Sequence, residues 1–161
     1  MILQKHNPIS AISSVMQEYA NRGVFRSFAK LPVRKGVAVF KLVWFHERAF
    51  ELVVDVREKK IRVPMLLPRV PENLYRDFKE FIRSHQSVSL PNHRRIDKAK
   101  VILRCAKRQG IASLTLSVKD DDFEYGLHKL ISLIQEAFVI FLADGMYRDY
   151  IVTQLGADSD W

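Results

Sequence analysis

Residues 92–110, NHRRIDKAKVILRCAKRQG, hold seven Lys or Arg (Arg94, Arg95, Lys98, Lys100, Arg104, Lys107 and Arg108) against one acid, Asp97. Such side chains neutralise anions, and nucleic-acid affinity comes largely from Lys and Arg neutralising phosphates. Arg94, Arg95, Lys98, Lys100 and Arg104 are therefore a candidate strip for an anionic partner. A binder of single strands also needs aromatic rings on an exposed sheet, where bases can stack. The chain has no aromatic run of that kind, no GxxG loop and no zinc-finger spacing. The nucleic-acid reading rests on charge alone, and a solvated basic face is the plainer account.

Other chemistries leave weaker traces. Asp120, Asp121, Asp122 and Glu124 are nearly consecutive. A hard cation needs oxygens converging from several directions, whereas acids at a helix start cap it. His6, His46, His85, His93 and His128 are scattered, and HERAF (46–50) lacks the second His of HExxH. Cys105 is the single cysteine, so the chain can form neither an internal disulfide nor a Cys-rich zinc site. Strand alternation puts it on the core side, where a thiol is inert packing. No GxSxG, P-loop or GxGxxG is present. These residues predict no catalytic group, no metal site and no cofactor.

The elements come next. In NPISAISSVMQEYANRG (7–23), Asn7 caps a helix, Pro8 suits its first turn, and Gly23 suits its end. Ile9, Ile12, Val15, Met16 and Tyr19 give it an apolar face. Strands are expected at 24–32, 36–45, 49–56 and 61–67, with turns at 46–48 and 57–60. Pro64 inside the last of these predicts an edge position or a bulge. A helix follows from Pro71, buried through Leu74, Phe78, Phe81 and Ile82. Strands 100–108 and 111–118 flank a Gln109-Gly110 hairpin turn. A long helix opens at DDDFEYG with a stripe of Phe123, Leu127, Leu130, Ile131, Ile134, Phe138 and Phe141, widened by Leu133, Val139 and Ile140. A short last helix and a loose tail at 157–161 complete one domain over 1–161. The class is α+β, a mostly antiparallel sheet with helices on one face, in the order α-β-β-β(-β)-α-β-β-α(-α).

Period-two alternation assigns faces. Val101, Leu103 and Cys105 share the core side with Ala112, Leu114, Leu116 and Val118, while Lys100, Ile102, Arg104, Ser113, Thr115 and Ser117 point outward. Strand 36–45 is apolar on both faces. If Ala38, Phe40, Leu42 and Trp44 meet the helices, Val39, Val43 and Phe45 face outward, joined by Val53 and Ile102. A patch of this kind marks a partner surface, unless a helix or loop of the chain covers it.

Composition bounds the class. The 161 residues are 48% hydrophobic and 27% charged, which is globular usage. Net charge is +8, placed unevenly: residues 22–110 carry 22 Lys/Arg against 8 Asp/Glu, and residues 111–161 carry 3 against 9. A basic body with an acidic end attracts anionic partners, or pairs with itself within the chain or in a second copy. Apolar runs fall well short of the roughly 20 residues that span a membrane. The opening MILQKHNPIS has no signal-peptide core. A cytoplasmic protein with no membrane partner is expected.

The strand IASLTLSV, the acidic turn DDDFEYGLHKL and the long apolar helix after it resemble the closing part of the type III secretion chaperone-like fold, which includes bacterial YbjN-type domains. The element order α-β-β-β-α-β-β-α is similar over roughly residues 8–143. The resemblance implies a non-enzymatic module that binds protein segments and forms homodimers, with no catalytic residues. This basic chain departs from the acidic usage of secretion chaperones. Two expectations follow: a homodimeric protein-binding module of chaperone-like or adaptor type, or a non-specific nucleic-acid binder using the basic strip.

Overall fold

The computed structural model describes residues 7–143 and 145–156. Helix α1 (Pro8–Asn21) starts where the cap lies: the Asn7 side chain accepts from the Ile9 amide at 3.0 Å. Its face of Ile9, Ile12, Val15, Met16 and Tyr19 is buried. Six strands follow the expected order: β1 (Ser27–Lys30), β2 (Val37–Val43), β3 (Ala49–Asp55), β4 (Lys60–Leu67), β5 (Val101–Arg108) and β6 (Ile111–Val118). Helix α2 (Glu72–Ser84) lies between β4 and β5, and α3 (Phe123–Glu136) and α4 (Arg148–Gln154) close the chain. The expected tail at 157–161 falls outside the described residues. Among the described residues, no helix is long and apolar enough to cross a membrane.

The strands form one antiparallel sheet in the order β1-β2-β3-β4-β6-β5. Strands β1, β2 and β3 each pair with the next one. The chain then crosses through α2 to the far edge, so β5 is outermost and β6 returns beside β4. Gln109 and Gly110 make the return with φ of 52° and 78°. Two left-handed residues match the twist of a two-residue hairpin.

One face of the sheet carries the core. Ala38, Phe40, Leu42, Phe50, Leu52 and Val54 are buried, as are Ala112, Leu114, Leu116 and Val118. The described helices pack on this side. The fit of α3 against β6 is close: a Cβ at Gly126 would stand 2.8 Å from Leu116 Cδ2. Helices α1 and α3 are joined at their surface by Tyr19 Oη and His128 Nδ1, 2.6 Å apart.

Two expectations change, and the alternatives left for Pro64 are decided. Strand β2 ends at Val43 instead of 45, because His46 and Glu47 take left-handed φ of 56° and 58° and turn the chain. Phe45 therefore leaves the sheet face. It lies between Trp44 (4.8 Å between ring centroids) and Phe138 (4.6 Å, planes within 10°), where stacking and burial act together. Pro64 lies in a central strand and not at an edge; the expected bulge accommodates it. Finally, α3 stops at Glu136 and continues as a π-helical turn over Ala137–Phe141. The extra residue in that turn keeps Phe138 inside and leaves Val139 and Ile140 at 63% and 60% exposed. They do not widen the buried stripe as the spacing predicts.

Candidate functional site on the open sheet face

Among the described residues, the other face of the sheet has no helix on it, and its relief comes from the bulge in β4. Strands β3 and β4 pair only from Val53↔Arg62 to Asp55↔Lys60. Strand β4 pairs with β6 up to Val63↔Leu114 and resumes at Leu67↔Ala112. Four steps along β4 thus match two along β6, leaving two residues over. Pro64 has no amide hydrogen for the ladder, so the surplus falls there. Leu66 and Leu67 both turn inward and are buried, while Met65 turns outward and is 59% exposed.

Two cavities flank Met65. One, of about 460 Å³, is lined by Arg62, Pro64, Ala106, Arg108, Ile111, Ser113 and Thr115 along with Met65. The other, of about 260 Å³, lies where β3 and β4 have parted, between Lys41, Arg48, Phe50 and Glu51. Arg48 fills that gap. Its guanidinium donates to the Leu66 carbonyl at 3.4 Å and stands 4.9 Å from the Phe50 ring centroid. Burial pulls its pKa below the usual arginine value, although the group stays charged at any ordinary pH.

Register arranges the charges. One cross-strand row reads Val39–Val53–Arg62–Thr115–Arg104 from β2 to β5. On the valine half, Lys41 faces Glu51 and Lys60 faces Asp55. On the arginine half, no carboxylate of the described residues lies within ion-pair distance of Arg62, Arg104 or Arg108. The open face is therefore charge-balanced from β2 to Lys60 at the start of β4 and positive at Arg62, Arg104 and Arg108.

The sheet-face residues expected from alternation land as follows. Val39, Val43 and Val53 are half-buried on the open face, with Val39 and Val53 directly paired. Ile102 lies on the same face at its β5 edge, 36% exposed. Phe45 is elsewhere, stacked on Phe138. Among the described residues, no helix or loop lies over the valines.

The basic strip divides. Arg94 Nη2 lies 3.6 Å from Glu136, and Arg95 donates to Asn92 at 2.6 Å. Lys100 sits 4.6 Å and Lys129 5.5 Å from the Tyr125 ring centroid, and the Tyr125 hydroxyl accepts from the Asp97 amide. Arg94, Arg95 and Lys100 thus belong to the connection beside α3, with Lys98 exposed on the same connection. Arg104 alone reaches the open face. There alternation along β5 puts Arg108 on the same face, and the β4–β6 register alone brings Arg62 beside them.

Cys105 is half-buried on the core side, and burial raises its thiol pKa. Asp122 caps α3 by accepting from the Tyr125 amide at 3.1 Å, and Asp121 lies 3.2 Å from Lys59. No three His, Cys, Asp or Glu side chains are grouped to hold a metal ion among the described residues. Comparison of the chain with family models, curated proteins and solved structures finds no match.

Proposed function

We propose that the chain is a non-enzymatic protein-binding module, chaperone-like or adaptor in type, that forms a homodimer and uses the open face of its sheet. One observation carries the reading: among the described residues a six-stranded sheet has helices on one side only, and its other side presents Val39, Val43, Val53, Met65 and Ile102. Apolar groups left together on a surface favour a partner that removes them from water. The valine half suits a second copy, because its charges are matched by cross-strand neighbours and a two-fold axis would bring like against like. The resemblance to type III secretion chaperone-like folds points the same way.

The test is self-association. Light scattering across a concentration series should show the mass rising to that of a dimer. Val43→Asp should hold the protein monomeric with an unchanged circular dichroism spectrum. A wild type that stays monomeric throughout removes the dimer, and a Val43→Asp dimer removes this face.

Arg62, Arg104 and Arg108, which have no carboxylate partner among the described residues, favour a second reading, non-specific nucleic-acid binding. It requires an affinity for oligonucleotides that falls steeply as salt rises. No shift with single- or double-stranded DNA at about 50 mM salt eliminates it.

A further inference from the structure

We infer that the arginine half of the open face takes an extended acidic segment of another protein, with an apolar residue seated against Met65. The inference rests on the protein-binding reading and names the partner's chemistry. Charge complementarity carries it. Arg62, Arg104 and Arg108 are exposed and have no carboxylate partner among the described residues; Arg62 and Arg108 line a groove of about 460 Å³ together with Ser113 and Thr115, and Arg104 lies beside it, paired with Thr115. Guanidinium forks and hydroxyls together satisfy carboxylate oxygens with charge-assisted hydrogen bonds.

Spacing favours an extended chain. Arg104 and Arg108 are four residues apart on one face of a strand, about 14 Å at the usual rise. Arg62 and Arg104 flank Thr115 from two strands away, about 10 Å. A segment laid along β5 and β6 repeats its own side chains at the same rise. Acids four residues apart therefore meet Arg104 and Arg108 together, and the residue midway falls over Ala106 and Met65. Met65 is unbranched and flexible, able to fit more than one apolar side chain. Nucleic acid matches less well, because the described residues of this face include no aromatic ring on which a base could stack.

Fluorescence anisotropy with synthetic peptides tests the idea. One peptide has Glu at every fourth position with Leu midway and Ser between. Its control has the same composition with the Glu residues bunched. The spaced peptide should bind about tenfold more tightly, the effect of one additional charge-assisted hydrogen bond. Arg104→Glu and Arg108→Glu should each remove that advantage, and Arg94→Glu should leave it intact. Met65→Ser should weaken the Leu peptide and spare an all-Ser version that keeps the Glu spacing. Equal binding of spaced and bunched peptides overturns the inference. So does oligothymidine binding more tightly and being lost at the same arginines. A protein that dimerises through Val43 yet ignores both peptides keeps the protein-binding reading and loses this inference alone. A protein that does neither loses both.

Discussion

The Arg48 guanidinium donates to the Leu66 carbonyl across the opening where β3 and β4 separate. Strand pairing would ordinarily occupy that carbonyl's surroundings, and the bulge at Pro64 prevents it. An arginine just before β3 takes over, with its guanidinium over the Phe50 ring. Arg48→Met keeps most of the volume and loses the hydrogen bond and the cation–ring contact. We expect a loss of about 1–2 kcal/mol in urea unfolding. An unchanged midpoint means that water serves Leu66 as well as the arginine does.

His85 is buried, with Nδ1 2.9 Å from the Phe81 carbonyl and Nε2 on the Glu136 carboxylate. A carbonyl only accepts, so Nδ1 carries a hydrogen. His85→Leu removes the imidazole contact from both groups, which keep the Ser84 hydroxyl (2.7 Å from the Phe81 carbonyl) and Arg94 (3.6 Å from Glu136), and we expect it to cost about 1–2 kcal/mol. Glu136→Gln supplies an acceptor oxygen without the charge and should cost less. Chemical denaturation of the two variants side by side decides the order, and equal losses refute it.

Two tyrosines near the chain's end predict sensitivity to alkali. Burial, then the hydrogen bond to Asp77 and its charge, push the Tyr147 hydroxyl up from 10.0 to about 12. Burial also raises Tyr150, whose hydroxyl donates to the Pro68 carbonyl at 2.5 Å. A group whose pKa is raised by folding adds stability below its unfolded value and loses it as pH climbs to the folded one. Stability should therefore fall between about pH 10 and 12. Tyr147→Phe should flatten that fall when the urea midpoint is followed against pH. A fall of the same steepness in the variant assigns it to other groups.

Gly126 lets α3 lie against β6. Alanine there gains helix propensity of about 1 kcal/mol, while its Cβ meets the Leu116 methyl at 2.8 Å. Valine adds bulk at the same contact without alanine's helix propensity. We expect Gly126→Val to destabilise by about 1–3 kcal/mol, with alanine closer to neutral. Thermal unfolding of both variants checks this, and a valine variant as stable as wild type would falsify the close fit.

Much of this protein is legible along the chain. Asn7 and Pro8 begin α1, Gln109-Gly110 turns the last hairpin, and the alternation in IASLTLSV separates core from open face, because caps, two-residue turns and strand faces depend on neighbours within a few residues. Val39, Val43, Val53 and Ile102 are assignable to the open face on the same ground. Three-dimensional contacts decide the rest. Phe45 leaves its strand for Phe138, a ring 93 positions away by numbering, since stacking and burial outweigh one more residue of ladder. A π-helical turn, which apolar spacing does not encode, moves Val139 and Ile140 to the surface. Most consequential is the pairing of β4 with β6: residues far apart in the chain place Arg62 beside Thr115 and Arg104, and the two surplus residues at Pro64 raise Met65 between two cavities. The local sequence determines that a strand carrying Pro64 lies at an edge or bulges, and the sheet decides for the bulge. Which arginines then gather around the bulge depends on strand order and register, and these exist only once the sheet has formed.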